Sequence, residues 1–568
     1  MNYTTVNSEI VKRKASESAF TWFLLAFALG LTLRLVTLDS MVYTQNELVL
    51  VNQALQISHK IPAATSTVPV YTGLTGWLFF LFGAGNFLAR LLPALAGASL
   101  VLLPWAWKDH LGQKAALILS FALAFEPTFL VFSRAIHGGI FAIAGLLWAF
   151  TFLKQNKAPL AGFALAVALL SGAAFWSFLL IIGLSWLGAY MIQPDLAKQV
   201  FVFRLADRNQ AWFSFGVTFF ASSILILTSL LLNPAGLGGV ASGLIAFAQN
   251  FVLPFEKPIY HSIYLLLAHS ILPLILFLVG YSRTQAKKSD GWYKIAGVSV
   301  IISLIISLVI SRETFELLLW PVFVLWLGGA VWLGQWQLKL QGSWLSTNLL
   351  RGFVLAILTY LMVNIGRIAE QPLGSPQFWS ILLMIAGGII LLISAWWLVK
   401  FGWSNGGGNK NILLALLSFL AIVSIGNSTR SLIKTQELRS LEFLDNSLFL
   451  PNNDIGRVLD DFALTGKTLP QLGGYELVDL PSEYSWYFRS FLIERNQPNT
   501  RVILTRTSNM PERDEEFRGS NVVLERSIDW RKEPLSTYLQ ALAGNILAFT
   551  DQKGVMWIQT NLFTGATN

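Results

Sequence analysis

Long apolar stretches fill most of the chain before residue 430, and short polar segments separate them. A helix needs about 20 apolar residues to cross the hydrocarbon core of a bilayer. The pattern therefore predicts a polytopic all-α membrane domain with about 11–13 transmembrane helices. Residues 71–82 look instead like an interfacial or re-entrant helix. The candidate spans are 19–38, 86–107, 114–133, 137–154, 159–176, 177–193, 212–232, 261–281, 294–311, 315–334, 348–366, 377–400 and 411–428.

The pattern changes near residue 436, where short strand-like runs begin to alternate with helix-like stretches. Such alternation predicts a small C-terminal α/β soluble domain. The strand-like runs are 475–480, 501–507, 521–528, 546–550 and 555–560, and the helix-like stretches are 454–464, 484–495 and 534–543. We expect a cytoplasmic N-terminal tail (1–18), a multi-span membrane domain (19–435, with a first outer loop at 39–85) and an extracytoplasmic domain (436–568).

Composition supports a membrane protein. Of 568 residues, 54% are hydrophobic and 12% charged, which leaves too few charges for the exterior of a soluble protein of this size. There is no cysteine, which excludes disulfides, thiolate nucleophiles and cysteine metal ligands. The net charge of +9 combines +12 before residue 430 with −3 after it. Because the positive excess lies in short loops, we expect no nucleic-acid partner.

Basic residues also predict the orientation. With a cytoplasmic N-terminus, eighteen Lys and Arg residues of the membrane part face the cytoplasm and seven face outward. Such a bias follows the positive-inside rule. It predicts a multi-pass plasma-membrane protein whose C-terminal domain is extracytoplasmic.

Polar residues with chemical potential collect at the predicted outer surface. A charge at membrane depth is costly and usually faces a cavity or a partner. We expect an outward-facing polar cavity, with Glu47, Arg90 and Arg134 lining it together. The candidate residues are Asn46, Glu47, Arg90, Glu126, Arg134, His137, Lys257, His261 and Arg312.

Residues 86–133, which include the run ARLLPALAG, resemble the second and third spans of the GT-C class of membrane glycosyltransferases. That class includes the protein O-mannosyltransferases and the lipid A aminoarabinose transferase. Further stretches resemble one subgroup, the membrane proteins associated with flippase activity in glycosylation gene clusters. They are NPAGL at 233–237, EKPIYHSIY at 256–264, WYFR at 486–489 and RVIL at 501–504.

The resemblance implies inverting transfer of a sugar from a polyprenyl-phosphate donor to a hydroxyl acceptor at the outer membrane face. Such chemistry needs a base for the acceptor proton and cations for the leaving phosphate. The family's acidic pair in the first outer loop reads Asn46-Glu47 here, which leaves Glu47 as its only acid. A further acid expected after Ser133-Arg134 is missing, and His137 and Glu126 are candidates to replace it.

The resemblance also suggests ligands for the donor phosphate. These are Arg90, Arg134, Lys257 and Arg312, with Asn46, Glu126 and His261 as further cavity residues. No spacing of His, Asp and Glu predicts a dedicated zinc site, but Glu47 and the donor phosphate could together hold a divalent cation, Mg²⁺ or Mn²⁺.

Three functions remain open at this point. The first is a glycosyltransferase that uses a lipid-linked sugar. The second is a catalytically degenerate GT-C relative that binds such a lipid or serves as a subunit of a membrane complex with other proteins. The third, a transporter or flippase, is the weakest because the chain lacks the paired, interrupted halves of many transporters.

Overall fold

The computed structural model describes most of the helical part of the chain and the strands of its C-terminal part. The described residues are 20–61, 65–200, 208–252, 260–286, 291–310, 315–336, 344–369, 371, 374–402, 407–433, 447–449, 474–489, 500–507, 516–529, 532–533, 537–538 and 550–560.

Within these residues, helices account for nearly all of the structure before residue 434. In chain order they are α1 (Phe20–Leu35), α2 (Gln45–Ser58), α3 (Pro69–Phe82), α4 (Asn86–Ala106), α5 (Lys108–Leu111), α6 (Gln113–Phe125), α7 (Pro127–Arg134), α8 (Gly138–Lys154), α9 (Ala158–Leu169), α10 (Ala173–Ile192), α11 (Pro194–Val200), α12 (Arg208–Leu227), α13 (Gly239–Gln249), α14 (Tyr260–His269), α15 (Ile271–Ala286), α16 (Gly291–Ile310), α17 (Leu319–Gln335), α18 (Trp344–Ala369), α19 (Pro376–Gly402) and α20 (Gly407–Ile433).

The described helices include eight that are long and apolar enough to cross a membrane: α4, α10, α12 and α16–α20. The pairs α6–α7 and α14–α15 are bent by 53° and 87°, and the total is ten if each bent pair is one span. Shorter apolar helices are α1, α3, α8 and α9. The prediction of a multi-pass, all-helical membrane domain is confirmed.

Small residues bring several of these helices into close contact. A Cβ atom added at Gly145 of α8 would lie 2.6 Å from the carbonyl oxygen of Ala164 in α9. One added at Gly162 of α9 would lie 2.5 Å from that of Phe215 in α12. Membrane helices gain little from the hydrophobic effect between themselves, so close backbone packing is a main source of their association.

The strands form one mixed sheet, which confirms the small C-terminal domain of the predicted fold class. They are β1 (Tyr43–Thr44), β2 (Ser447–Phe449), β3 (Gly474–Val478), β4 (Thr500–Thr505), β5 (Phe517–Ser527) and β6 (Thr550–Gln559). Their order is β1-β2-β5-β6-β4-β3, and only β3 and β4 pair in parallel. Residues 550–559 form one strand, which begins five residues before the predicted strand 555–560. The predicted strand 546–550, apart from Thr550, and the predicted helix 454–464 lie outside the described residues.

Strand β1 was not predicted and belongs to the link between α1 and α2. It pairs antiparallel with β2, so that Tyr43 lies opposite Phe449 and Thr44 opposite Leu448. The first loop and the C-terminal sheet therefore lie on the same side of the helix bundle. This pairing holds the start of α2, which carries Asn46 and Glu47, against the C-terminal part of the chain.

Candidate functional site

The site begins at the N-terminus of α2, which is closed by a capping box. The Thr44 hydroxyl accepts a hydrogen bond from the backbone N–H of Glu47 at 3.3 Å, and the Glu47 carboxylate accepts one from the N–H of Thr44 at 2.9 Å. This reciprocal arrangement satisfies donors that a helix start otherwise leaves without partners. The sequence carries its signature, a threonine followed three residues later by glutamate, so the start of α2 was detectable.

Glu47 also joins two distant parts of the chain. Its Oε1 accepts the backbone N–H of Ile136 at 2.7 Å, just after α7, and its Oε2 receives Nη2 of Arg90 in α4 at 3.2 Å. The side chains of Glu47 and Arg90 are 1% and 0% exposed. The carboxylate is therefore a buried junction between α2, α4 and the α7–α8 link.

Arg90 is held from two further directions. Its Nη2 donates to the carbonyl oxygen of Val42 at 2.8 Å, and its guanidinium lies over the ring of Tyr43, 4.2 Å from the ring centre. Its Nε and Nη1 atoms are buried and have no hydrogen-bond partner within the described part of the chain. Two strong donors of this buried guanidinium are thus left without an acceptor from the described residues.

Arg134, the last residue of α7, has a similar environment. Its Nη2 donates to the carbonyl oxygens of Val36 and Thr37 at 2.9 and 3.2 Å, and to the Thr37 hydroxyl at 3.0 Å. Its Nε and Nη1 are buried and again find no hydrogen-bond acceptor among the described residues. The side chain is almost fully buried, although it ends a span where an exposed arginine would be ordinary.

A third buried arginine, Arg34 of α1, lies close enough to Arg134 for their charges to interact, as do those of Arg134 and Arg90. The Glu47 carboxylate pairs with Arg90, so one negative charge stands against three guanidinium groups and two positive charges are left over among these four residues. Burying uncompensated charge is costly, and an anionic ligand would relieve that cost. Sequence reasoning did not include Arg34, although an arginine within an apolar span was a signal.

The C-terminal part of the chain reaches the same region through a 3-10 helix, Ser482–Phe488. The Asn86 side-chain oxygen, at the start of α4, accepts from the Tyr43 hydroxyl at 3.2 Å, from Trp486 Nε1 at 3.2 Å and from Arg489 Nη2 at 3.1 Å. Burial raises the pKa of the Tyr43 hydroxyl to about 12, so this group stays neutral and can donate. The WYFR stretch of the sequence is thus the part that docks beside Arg90.

The remaining candidates take separate positions. His137 is 6% exposed and directly precedes α8, next to the Ile136 N–H that Glu47 binds. Asn46 is half-buried in the first turn of α2. Lys257 and Arg312 lie outside the described residues.

Glu126 and His261 do not join the Glu47 cluster. Glu126 is 1% exposed, lies at the bend between α6 and α7, and accepts hydrogen bonds from other helices. His261 is packed between the rings of Tyr264, Phe315 and Tyr538, and its Nδ1 lies 3.4 Å from the Tyr538 hydroxyl. The structure therefore separates the sequence-predicted residues into three groups.

The oxygens of Glu47 are the expected ligands of a divalent cation, Mg²⁺ or Mn²⁺. Both already accept N–H groups, and Nη2 of Arg90 lies 3.2 Å from Oε2. Such ions prefer several oxygen ligands. Across the described residues, no three His, Asp or Glu side chains gather as metal ligands.

Solved structures with the same arrangement of elements are known. A crystal structure of ArnT from Cupriavidus metallidurans bound to undecaprenyl phosphate matches with a TM-score of 0.55 and 13% identity, over 95% of this chain and 99% of that chain. The same protein in the apo state matches with a TM-score of 0.51 and 14% identity, over 95% and 98%. This chain has the GT-C fold.

A weaker likeness, with a TM-score of 0.41 and 12% identity, links 86% of the chain to 69% of the archaeal oligosaccharyltransferase AglB from Archaeoglobus fulgidus, in complex with an inhibitory peptide and a dolichol-phosphate. In sequence, no family model matches and no curated protein is similar. The likeness to the ArnT structures confirms the expected fold.

Proposed function

We propose that this multi-pass membrane protein binds a polyprenyl-phosphate-linked sugar through Arg90 and Arg134 and transfers the sugar to a hydroxyl acceptor. The observation that carries the proposal is the set of four buried guanidinium nitrogens, Nε and Nη1 of each arginine, that have no hydrogen-bond partner in the described structure. Phosphate oxygens are strong acceptors for such donors. The ArnT structure with undecaprenyl phosphate supports a lipid phosphate as the ligand class.

The transfer would be an inverting displacement. The acceptor oxygen attacks C1 of the sugar while the bond from C1 to the phosphate oxygen breaks, and a base takes the acceptor proton. The electron pair of the broken bond leaves on the phosphate. Buried cations that are already fixed in place stabilise this developing charge efficiently, because they need not reorganise during the reaction. Arg90 and Arg134 have that property through their carbonyl and carboxylate contacts.

His137 is the better of the two proposed bases. Imidazole titrates near neutral pH and can take a proton there. Glu47 is buried, and its two oxygens already accept three hydrogen bonds from N–H groups, so both oxygens are engaged by the protein itself. Glu47 would then act mainly by fixing Arg90 and the backbone next to His137.

The alternative is a catalytically degenerate protein that binds the same lipid, on its own or as a subunit of a membrane complex. The favouring observation is again Glu47, because its carboxylate is committed to structural contacts and its neighbour is Asn46 rather than an acid. Both functions need the same phosphate site, but only the enzyme would transfer the sugar from the bound lipid.

We further propose that the first loop and the domain from residue 436 face the extracytoplasmic side, with the membrane domain ending near 435. The pairing of β1 with β2 supports a common side for these two segments, and the distribution of basic residues supports which side it is.

Binding is tested with the full-length protein in lipid nanodiscs and undecaprenyl monophosphate as the probe. We expect Arg134→Met to weaken binding by about 10- to 100-fold, as for loss of hydrogen bonds to a charged group. Arg351→Met is the control, because Arg351 is a half-buried helix arginine whose guanidinium already binds the Asn411 side chain of α20 at 2.8 Å. Equal affinity of Arg134→Met and wild type would refute the proposed phosphate site.

Transfer is tested with polyprenyl-phosphate sugars and the variants Glu47→Ala, Arg134→Ala and His137→Ala. Loss of turnover in His137→Ala with retained lipid binding supports the enzyme and its base. Wild-type protein that binds the lipid but never turns over any donor supports the degenerate alternative.

A further inference from the structure

The bend between α6 and α7 leaves backbone carbonyl groups without their usual helix partners. Pro127 has no N–H, so it cannot bond the carbonyl of Leu123, and the bend frees the following carbonyls as well. Arg34 of α1 donates to the carbonyl oxygens of Leu123 and Ala124 at 3.0 and 3.4 Å, and the Ser428 hydroxyl of α20 donates to that of Phe125. Satisfying such groups is obligatory within a membrane.

A second bend, between α14 and α15, lies against the first. Asn427, also on α20, donates through Nδ2 to the carbonyl oxygen of Ala268 at 3.3 Å, one residue before the end of α14. Adjacent residues of α20 thus bind the backbone at both bends. The two bends therefore form a single junction inside the bundle.

The carboxylate of Glu126 is the centre of this junction. Its Oε1 accepts from the Ser270 hydroxyl at 2.5 Å, at the bend between α14 and α15, and its Oε2 accepts from Trp326 Nε1 of α17 at 2.6 Å. Thr128, in the first turn of α7, lies 3.2 Å from the Ser270 hydroxyl. The α6–α7 bend, the α14–α15 bend and α17 therefore meet at the carboxyl group of Glu126, a residue that is 1% exposed.

The short helix α7 connects this junction to the phosphate site. It has eight residues and so spans about 12 Å, with Glu126 immediately before it and Arg134 as its last residue. Ile136, whose N–H binds Glu47, follows directly. Any sliding or rotation of α7 would displace Arg134 and the Glu47 contact together.

We infer that Glu126 is a positioning residue that fixes α7, and through it Arg134, by accepting hydrogen bonds from Ser270 and Trp326. Both of its oxygens are engaged and buried, which leaves no access for an acceptor hydroxyl, so it does not act as the base. Its effect on lipid-phosphate affinity rests on the proposed function, whereas its effect on α7 does not.

The variant Glu126→Gln removes the negative charge of the side chain but keeps groups that can form hydrogen bonds. The amide oxygen of Glu126→Gln can accept from Trp326, and its N–H can donate to the Ser270 hydroxyl, which can serve as donor or acceptor. Leucine in Glu126→Leu has a similar volume but leaves the indole N–H without an acceptor. Ser120→Ala is the control, because the Ser120 hydroxyl lies buried in α6 with no hydrogen-bond partner among the described residues.

The test measures hydrogen exchange of the peptide covering residues 127–137, and affinity for undecaprenyl monophosphate, in the full-length protein. We expect Glu126→Leu to speed exchange and weaken binding by about tenfold or more, the loss of one to two buried hydrogen bonds. Glu126→Gln and Ser120→Ala should stay within about threefold of wild type, well under the effect of one such bond. Unchanged exchange in Glu126→Leu, or equal damage by Gln and Leu, overturns the inference.

Failure of the proposed function has a different signature, namely no lipid binding by wild type while exchange still responds to Glu126→Leu. If Glu126→Leu does not fold, Ser270→Ala and Trp326→Phe each remove one donor and keep the carboxylate. Faster exchange of residues 127–137 in both supports the inference, and unchanged exchange in both overturns it.

Discussion

Replacing Glu47 by alanine removes the acceptor of three buried hydrogen bonds. The N–H groups of Thr44 and Ile136 lose their partner, and Arg90 loses its carboxylate counterion. Breaking a buried ion pair from one side costs about 3–5 kcal/mol, because the remaining charge is left uncompensated. We therefore expect Glu47→Ala to lower the free energy of unfolding by about 3–5 kcal/mol.

Two comparisons separate the contribution of the hydrogen bonds from that of the charge. Glu47→Gln keeps one acceptor oxygen and should cost about 1–3 kcal/mol, the usual range for one unsatisfied buried group. In the double variant Glu47→Ala/Arg90→Met, the uncompensated charge is gone as well. Its loss of unfolding free energy should therefore be smaller than the sum of the losses of the two single variants, by about 1.5 kcal/mol or more. Asp195→Ala, at an exposed acidic residue in the first turn of α11, should change stability by no more than about 0.5 kcal/mol.

The assay is equilibrium unfolding in mixed micelles of increasing dodecyl sulfate content, followed by far-UV circular dichroism. The reasoning is refuted if Glu47→Ala lies within about 1 kcal/mol of Asp195→Ala, since the carboxylate would then not be a buried junction. Additive losses in the double variant would refute the specific coupling to Arg90.

Three further predictions concern other parts of the molecule. Gly97→Ala should destabilise the protein by about 1–3 kcal/mol in the same assay, because the added Cβ would lie 2.2 Å from the nearest side chain of α7. Asn86→Ala leaves three donors without their acceptor and should make the 3-10 helix and its flanking segments several-fold more sensitive to protease. A hydrogen bond from Arg526 lowers the pKa of Asp551, and this pair should stabilise the sheet by less than about 1 kcal/mol at pH 7. Because the folded pKa is the lower one, that stabilisation is present above about pH 4, the unfolded value, and is lost as the pH falls through the folded value.

Each of these has its own control. Gly426→Ala, at a helical glycine with open space around its Cβ position, should be neutral or slightly stabilising, and equal effects at both glycines would contradict the packing explanation. Unchanged proteolysis of Asn86→Ala would mean that its three contacts do not hold the C-terminal segment. The melting temperature of Asp551→Asn should fall slightly below that of wild type at pH 7, and this difference should shrink as the pH falls below about 4. A difference that does not shrink in acid would contradict the ion-pair assignment.

Local pattern was sufficient for the helices and for part of the sheet. Spans such as α4, α10 and α19 depend on the length of an apolar stretch, which is a property of neighbouring residues. The bend at Pro127 was also readable, because proline cannot continue the hydrogen bonds of a helix. Strand β1 was not predictable, since two residues form a strand only through a partner about 400 positions further along the chain.

The candidate site shows the same division. The sequence identified Glu47, Arg90 and Arg134 as residues too polar for their surroundings, which follows from the cost of charge in a membrane. It could not identify the Ile136 N–H as a ligand of Glu47, because every non-proline residue carries the same backbone group. Arg34 was counted among the basic residues but not as part of the cluster.

By itself the sequence determined that this is a helical, multi-pass membrane protein with a small domain at its C-terminal end, and its resemblance to the GT-C class indicated the fold. The lengths of the apolar stretches and the distribution of basic residues are obtained by counting along the sequence, so they can be known without knowledge of tertiary contacts. Only the tertiary structure decided which polar residues share a site. It joined Glu47 to Arg90 and Ile136 across 43 and 89 residues, and it assigned Glu126 to Ser270 and Trp326 across 144 and 200. Which residue pairs with a buried charge depends on packing in three dimensions, and it cannot be inferred from the separation of the two residues in the sequence.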